Sequence, residues 1–108
     1  MIFHLHDEER ALTAISNMIN LIKDLGEENV DIELLVNGSG VKMMLKNSEY
    51  IRKIDYLLKK NVNFRVCSNS LEGYEISEDE LIDGAVVVPS GVGELIKKQE
   101  KGWNYIKI

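Results

Sequence analysis

Two apolar periodicities alternate along this chain. Short runs with a repeat of two, or wholly apolar, read as strands. Longer stretches with apolar positions three and four apart read as helices. Met1 to His6 reads as a first strand. Asp7 to Gly26 reads as a helix whose stripe is Leu12, Ile15, Met18, Ile19, Ile22 and Leu25. Asp7 is its expected N-cap, Glu8 and Glu9 suit the positive end of its dipole, and Gly26 suits its C-terminal exit. Val30 to Val36 is a second strand, alternating at first and then apolar throughout. Asn37-Gly38-Ser39-Gly40 predicts a tight turn into a short helix over Val41 to Leu45. Asn47 or Ser48 opens a longer helix to about Lys60, with Ile51, Ile54, Leu57 and Leu58 inward.

Val62 to Cys67 is the third strand, followed by a loop or short turn of helix over Ser68 to Gly73. Ser77-Glu78-Asp79-Glu80 is a capping-box pattern opening one more turn. Ala85 to Val88 is a fourth strand, apolar and β-branched, as expected of one buried on both faces. Pro89-Ser90-Gly91-Val92-Gly93 leads into a helix to about Lys101, and Trp103 to Ile108 is the last strand. Strand–helix alternation of this kind predicts an α/β fold, with helices on both faces of a mostly parallel sheet. Ligands of such sheets bind outside the carboxyl ends of the strands. Those ends carry His6, the turn Asn37 to Gly40, the run Cys67 to Ser70, and Pro89 to Gly93.

The 108 residues amount to one domain, with 44% apolar and 29% charged residues, an ordinary globular composition. A net charge of −5 argues against general nucleic-acid binding and against an anionic membrane surface. No apolar run is long enough to span a bilayer, and the first residues lack the pattern of a signal peptide, so the expected compartment is the cytoplasm.

The single cysteine, Cys67, cannot form an intramolecular disulfide. At a strand end, with a helix beginning beside it, its thiol would be held toward thiolate, able to act as a nucleophile or carry a persulfide. The competing reading is a packed structural cysteine. His4 and His6 alternate on one strand and share a face. Either could be a proton donor or thiolate partner for Cys67. With Cys67 they are an incomplete metal set, so no metal is expected. Gly38-x-Gly40 and Gly91-x-Gly93 begin a dinucleotide fingerprint, but Met43 and Ile96 stand where the third glycine belongs. No cofactor is expected. A small-anion or small-ligand site could use Asn37, Gly38, Gly40, Ser68, Asn69, Ser90, Gly91 and Gly93.

Asn17 and Asn20 lie near the apolar stripe of the first helix, where amides suit buried hydrogen bonds, an interface or a solvated face. Lys97, Lys98 and Lys101 complement a helix C-terminus. Trp103 and Tyr105 share one face of the last strand. Limited helix cover and these aromatics predict a homo-oligomer.

Several segments, in order, resemble the DsrE/DsrF-like family. They are Phe3-His4-Leu5, Asn17 to Asn20, Val36 to Val41, Asn61 to Leu71, and Asp83 to Val92. The ending Gln99-Glu100-Lys101-Gly102-Trp103-Asn104-Tyr105-Ile106 is similar to the Q-x-x-G-W-x-Y-I tail of one uncharacterised branch. The resemblance implies a three-layer α/β/α sandwich around a five-stranded parallel sheet, assembled as trimers or hexamers. It also implies a role in intracellular sulfur relay, with sulfur held as a persulfide on a cysteine near the end of the third strand. Cys67 is the matching position. It is followed by Ser68-Asn69-Ser70-Leu71-Glu72-Gly73, where known carriers have small residues and an Arg-Gly pair. Two functions are therefore expected to compete. One is a sulfur carrier on Cys67, assisted by His4 or His6 and served by sulfur-donor and sulfur-acceptor proteins. The other is a non-catalytic oligomeric binding module in which Cys67 only packs.

Overall fold

The computed structural model describes all residues, Met1–Ile108. Five strands form one sheet: β1 (Ile2–Leu5), β2 (Glu33–Val36), β3 (Asn63–Cys67), β4 (Ala85–Val88) and β5 (Tyr105–Lys107). Their spatial order is β4-β3-β2-β1-β5, and every pairing is parallel. Four helices connect them: α1 (Ala11–Leu25), α2 (Ile51–Lys59), α3 (Ser68–Gly73) and α4 (Gly91–Glu100). The first three crossovers step outward from β1 to β4. The fourth returns across the sheet to place β5 on the far side of β1. Parallel crossovers are right-handed, so this reversal of direction puts α4 on the face opposite the other helices.

The register assigns every strand residue to a face, because paired residues of parallel strands point the same way and neighbours alternate. Phe3, Leu5, Leu34, Val36, Phe64 and Val66 point to the side of α1 and α2, where they join a cluster of 20 buried residues. Ile2, His4, Glu33, Leu35, Arg65, Cys67 and Val86 point to the side of α4. There the buried apolar cluster is only Ile2, Leu35 and Leu95, with Val88 and Trp103 against it.

Several elements depart from expectation for local reasons. Asp7 makes no side-chain cap. A 3-10 turn over Glu8–Arg10 precedes α1, which starts at Ala11. That offset turns Leu12 outward and buries Ala11 and Ala14 instead, and Leu25 is also exposed. The turn after β2 is a 3-10 segment over Gly38–Met44 rather than a helix from Val41. It contains Gly38, at φ +54°, and Gly40, where a Cβ would lie 2.6 Å from the Leu5 carbonyl oxygen. Ser48 caps a turn, donating no helix start, and α2 begins at Ile51. The capping box at Ser77 and Glu80 is present, on a single 3-10 turn. β4 is an edge strand, not one buried on both faces, and Val86 is 48% exposed. Lys98 does not serve the α4 C-terminus. Its ammonium reaches inward to Glu33 at 3.3 Å and lies over the Trp103 ring.

Candidate functional site

The carboxyl ends of the strands gather the residues that carry chemistry. Cys67 ends β3 and occupies the N-cap position of α3, which starts at the next residue. Ser90 precedes α4 and accepts the Gly93 N–H at 3.0 Å, which orients the first turn of that helix. Gly91 then packs into the sheet edge. A Cβ there would lie 3.1 Å from Leu35 and 3.3 Å from the Asn37 side chain. Any larger residue there would need the Leu35 and Asn37 side chains to give by a few tenths of an ångström.

Burial, with 5% of Cys67 exposed, pushes its thiol pKa up. Hydrogen bonds from the Ser70 hydroxyl and from the backbone N–H groups of Ser70, Gly91 and Asn69 outweigh it, and the pKa falls below its ordinary value. The donors come from two helices, α3 and α4. Ser70 does more than serve the thiol. Its Oγ accepts the Gly38 N–H at 2.9 Å, tying the Asn37–Gly40 turn to the cysteine loop. Ser68 and Asn69 lie in the same first turn, and Asn69 contributes through its backbone.

His4 and His6 meet at Asn37. The Asn37 Oδ1 lies 2.9 Å from His4 Nε2 and 3.0 Å from His6 Nδ1. The His4 Nδ1 lies 2.8 Å from the Tyr105 hydroxyl on β5. Burial lowers the His4 pKa. The hydrogen bond with Asn37 opposes that, while Lys107 and His6 add to it. His4 is thereby kept neutral near pH 7. Both imidazoles are thus bonded to Asn37 rather than to Cys67. The links run through neighbours: the His6 ring lies over Gly38, where a Cβ would be 2.5 Å from its Cε1, and Gly38 is bonded to Ser70. No three His, Cys, Asp or Glu side chains converge as a metal set.

Of the residues expected at the site, Cys67, Ser68, Asn69, Gly91, Asn37, Gly38, His4 and His6 form one continuous group. Gly40 supports it by its approach to Leu5, and Ser90 with Gly93 forms the cap of α4. Sequence reasoning places Ser70 in the strand-end run without a role, gives Tyr105 to a subunit interface, and passes over Glu33. Ser70 lies three residues after the cysteine, one helical turn on, which is a readable signal once α3 is accepted as a helix. Tyr105 has no such signal, since β5 pairs with β1 across the whole chain. Asn17 and Asn20 are exposed. They rim a hollow of about 430 Å³ with Phe3, Leu21, Asp24 and Ile106. A second hollow of about 590 Å³ lies between Leu45–Asn47 and Glu75–Glu80. Neither hollow includes a residue of the Cys67 edge.

No helix is long and apolar enough to cross a membrane. None of the curated proteins matches the chain. Among solved structures, a protein of unknown function, MTH1491 from Methanobacterium thermoautotrophicum, is 38% identical. It superposes with a TM-score of 0.92 over 99% of this chain and 96% of its own. The ychN protein from E. coli shares the fold at 19% identity and a TM-score of 0.83, covering 99% of this chain and 97% of its own. The sequence profile of the DsrE/DsrF-like family matches residues 3–108, and the chain belongs to that family.

Proposed function

We propose that this protein is a sulfur-relay component that carries sulfane sulfur as a persulfide on Cys67. Family membership supports a role in sulfur relay. The observation that carries the finer reading is the set of donors on the sulfur. Amides from both α3 and α4 and the Ser70 hydroxyl favour its anionic form in a setting that is otherwise desolvated. A thiolate is the nucleophile that accepts sulfur and the better leaving group when sulfur departs. Burial suits this use. A persulfide places the transferable sulfur about 2 Å farther out than Cys67 Sγ, while the inner sulfur stays shielded.

The protein works as a homo-oligomer in this reading. Val92 and Ile96 are 65% and 58% exposed on α4, and Val86 lies on the sheet face that α4 leaves open. Such residues together suit a subunit interface. Sulfur-donor and sulfur-acceptor proteins are the remaining partners, and the cytoplasm is the compartment.

Intact mass spectrometry before and after exposure to a persulfide donor tests the reading, with Cys67→Ser alongside. The expected result is a gain of about 32 Da per sulfur that reductant removes and the variant lacks. No adduct on the parent, or an equal adduct on Cys67→Ser, would overturn it.

A further inference from the structure

The thiol and its donors do not explain why two imidazoles are tied to one amide oxygen beside them, with a phenol on the far nitrogen of one. Asn37 Oδ1 only accepts. It lies within hydrogen-bond distance of His4 Nε2 and His6 Nδ1, so both of those nitrogens carry hydrogen. A neutral imidazole has one N–H, which leaves the other nitrogen of each ring as a lone pair. In His4 that nitrogen is Nδ1, and it accepts the Tyr105 hydroxyl hydrogen. In His6 it is Nε2, on an exposed residue, and no protein group bonds it. One side-chain carbonyl therefore sets opposite tautomers in two rings whose centroids are 6.5 Å apart.

The surroundings divide the two rings further. His4 faces Tyr105 and Lys107 from β5, His6 from its own strand's end, and Asn37 from the tip of β2. A second proton on His4 would put a cation between Lys107 and His6, and it would turn the Tyr105 hydroxyl from donor to acceptor. His6 has the open nitrogen. Two short contact routes join this group to the thiol. His6 lies over Gly38, whose N–H donates to Ser70 Oγ, and Asn37 packs on Gly91; Ser70 and Gly91 are both groups that lower the Cys67 pKa.

The geometry points to a division of labour: His6 Nε2 exchanges a proton with the thiol that delivers or collects sulfur at Cys67, while Asn37, His4 and Tyr105 are positioning residues that fix its tautomer. This rests on the persulfide reading above and adds the proton to it. In unloading, an incoming thiol R–SH gives its proton to His6 Nε2. The resulting R–S⁻ attacks the outer sulfur of Cys67–S–SH, an S–S bond forms to R and the one to Cys67 breaks. The products are R–S–SH and a Cys67 thiolate, which the amides receive, and the imidazolium returns its proton to that thiolate or to water. In loading, the Cys67 thiolate attacks the outer sulfur of R′–S–SH, and His6 in its protonated form neutralises the departing R′–S⁻. Sulfane sulfur moves between thiols in both directions, so no oxidant or reductant is required. The substrate class is accordingly a protonated thiol and its persulfide.

Long-range nitrogen–proton correlation spectra of ¹⁵N-labelled protein read the tautomers directly. The expected pattern is Nδ1–H for His6 and Nε2–H for His4. Asn37→Ala should turn His6 into a mixture, whereas Asn37→Asp, which keeps an acceptor oxygen, should preserve the pattern. Tyr105→Phe, on an edge strand, should leave the fold intact and change the His4 Nδ1 signal. Transfer from persulfidated protein to free cysteine is the second arm. His6→Gln should slow transfer at pH 7 on the order of 10²-fold, the usual scale of general acid–base assistance. The deficit should vanish at a pH where the acceptor is already thiolate. An Nε2–H tautomer at His6, or a His6→Gln rate equal to the parent's at pH 7, overturns this inference alone. Failure of the parent to take up sulfur overturns the persulfide reading and the transfer step with it.

Discussion

The two faces of the sheet have been put to different uses. The face under α1 and α2 holds a cluster of 20 buried residues, from Phe3 and Leu34 to Phe64 and Val66, and every strand position there is apolar or nearly so. The face under α4 holds a cluster of three. The rest of that face is mostly polar: His4, Glu33, Asn63, Arg65, Cys67, Tyr105 and Lys107, with Val88 and an exposed Val86. Hydrophobic stabilisation scales with buried apolar area, so the first face carries the fold. The second face is where a thiol, two imidazoles and a buried carboxylate can be held without weakening the main core. Stability and chemistry are separated by the thickness of one sheet.

The comparison breaks if the two faces respond alike to truncation. Phe64→Ala, at a fully buried position of the packed face, should cost about 3–5 kcal/mol in denaturant unfolding. Leu95→Ala removes the main apolar anchor of α4 and should cost about 2 kcal/mol, near the lower end for buried leucines. Only the second should also slow alkylation of Cys67 at pH 7, because α4 begins with the Gly91 amide that serves the sulfur. Equal losses of stability, with equal effects on the thiol, would remove the distinction.

Glu33 sharpens it next. The side chain is fully buried beneath α4 and neither oxygen has a hydrogen-bond partner, although the Lys98 ammonium approaches to 3.3 Å. Burial raises its pKa, Glu94 raises it further, Lys98 pulls it down, and it stands at about 7 against an ordinary 4.5. The folded state therefore binds more protons than the unfolded one between those values. Stability should be greatest below about pH 4.5 as far as this group is concerned, and fall as pH rises toward 7, by up to about 3 kcal/mol. Unfolding free energies of the parent and Glu33→Gln measured from pH 5 to 8 check this. The variant should flatten that slope, and an unchanged slope would assign it to other groups.

The contrast between faces also explains what could be read in advance. The α/β class, the five strands and the Cys67 edge were legible, because strand and helix periods alternate cleanly and parallel sheets place their loops at one edge. The fate of β4 was not. Ala-Val-Val-Val reads the same in a central strand and in an edge strand with one side open, and strand order is absent from local pattern. Glu33 was hidden for the related reason that Val-Asp-Ile-Glu alternates like a half-exposed strand. The strand is central, and α4 covers the face that should have been wet. His4 and His6 were visible as a pair, but their shared acceptor and Tyr105 depend on residues up to 101 positions apart meeting across strands.

Ser70 stands at the sheet edge beside Cys67, and its loss should show there. Ser70→Ala removes both the donor to Cys67 and the acceptor of the Gly38 N–H, costing about 1 kcal/mol. Its larger signature is kinetic. With that donor gone the thiol pKa rises, the thiolate fraction at a given pH falls, and the alkylation profile of Cys67 moves to higher pH. An unmoved profile would mean that the backbone amides alone hold the sulfur.

The smallest effect on stability is expected where the open face meets solvent. Ile96 is 58% exposed on α4, one turn beyond Val92, so a charge there meets water and not the core. Ile96→Asp should change unfolding of the isolated subunit by no more than about 0.5 kcal/mol, as surface substitutions do. The same charge at a subunit interface would face burial without a partner, which costs several kcal/mol and abolishes association. Light scattering coupled to size-exclusion chromatography separates the two. A parent that runs as an oligomer and an Ile96→Asp that runs as a folded subunit would show that the thin face is completed by another copy. If the parent runs as an oligomer and the variant keeps its mass, the interface lies elsewhere, and Val86, Val92 and Ile96 are simply the exposed margin of a face that one helix is too narrow to cover.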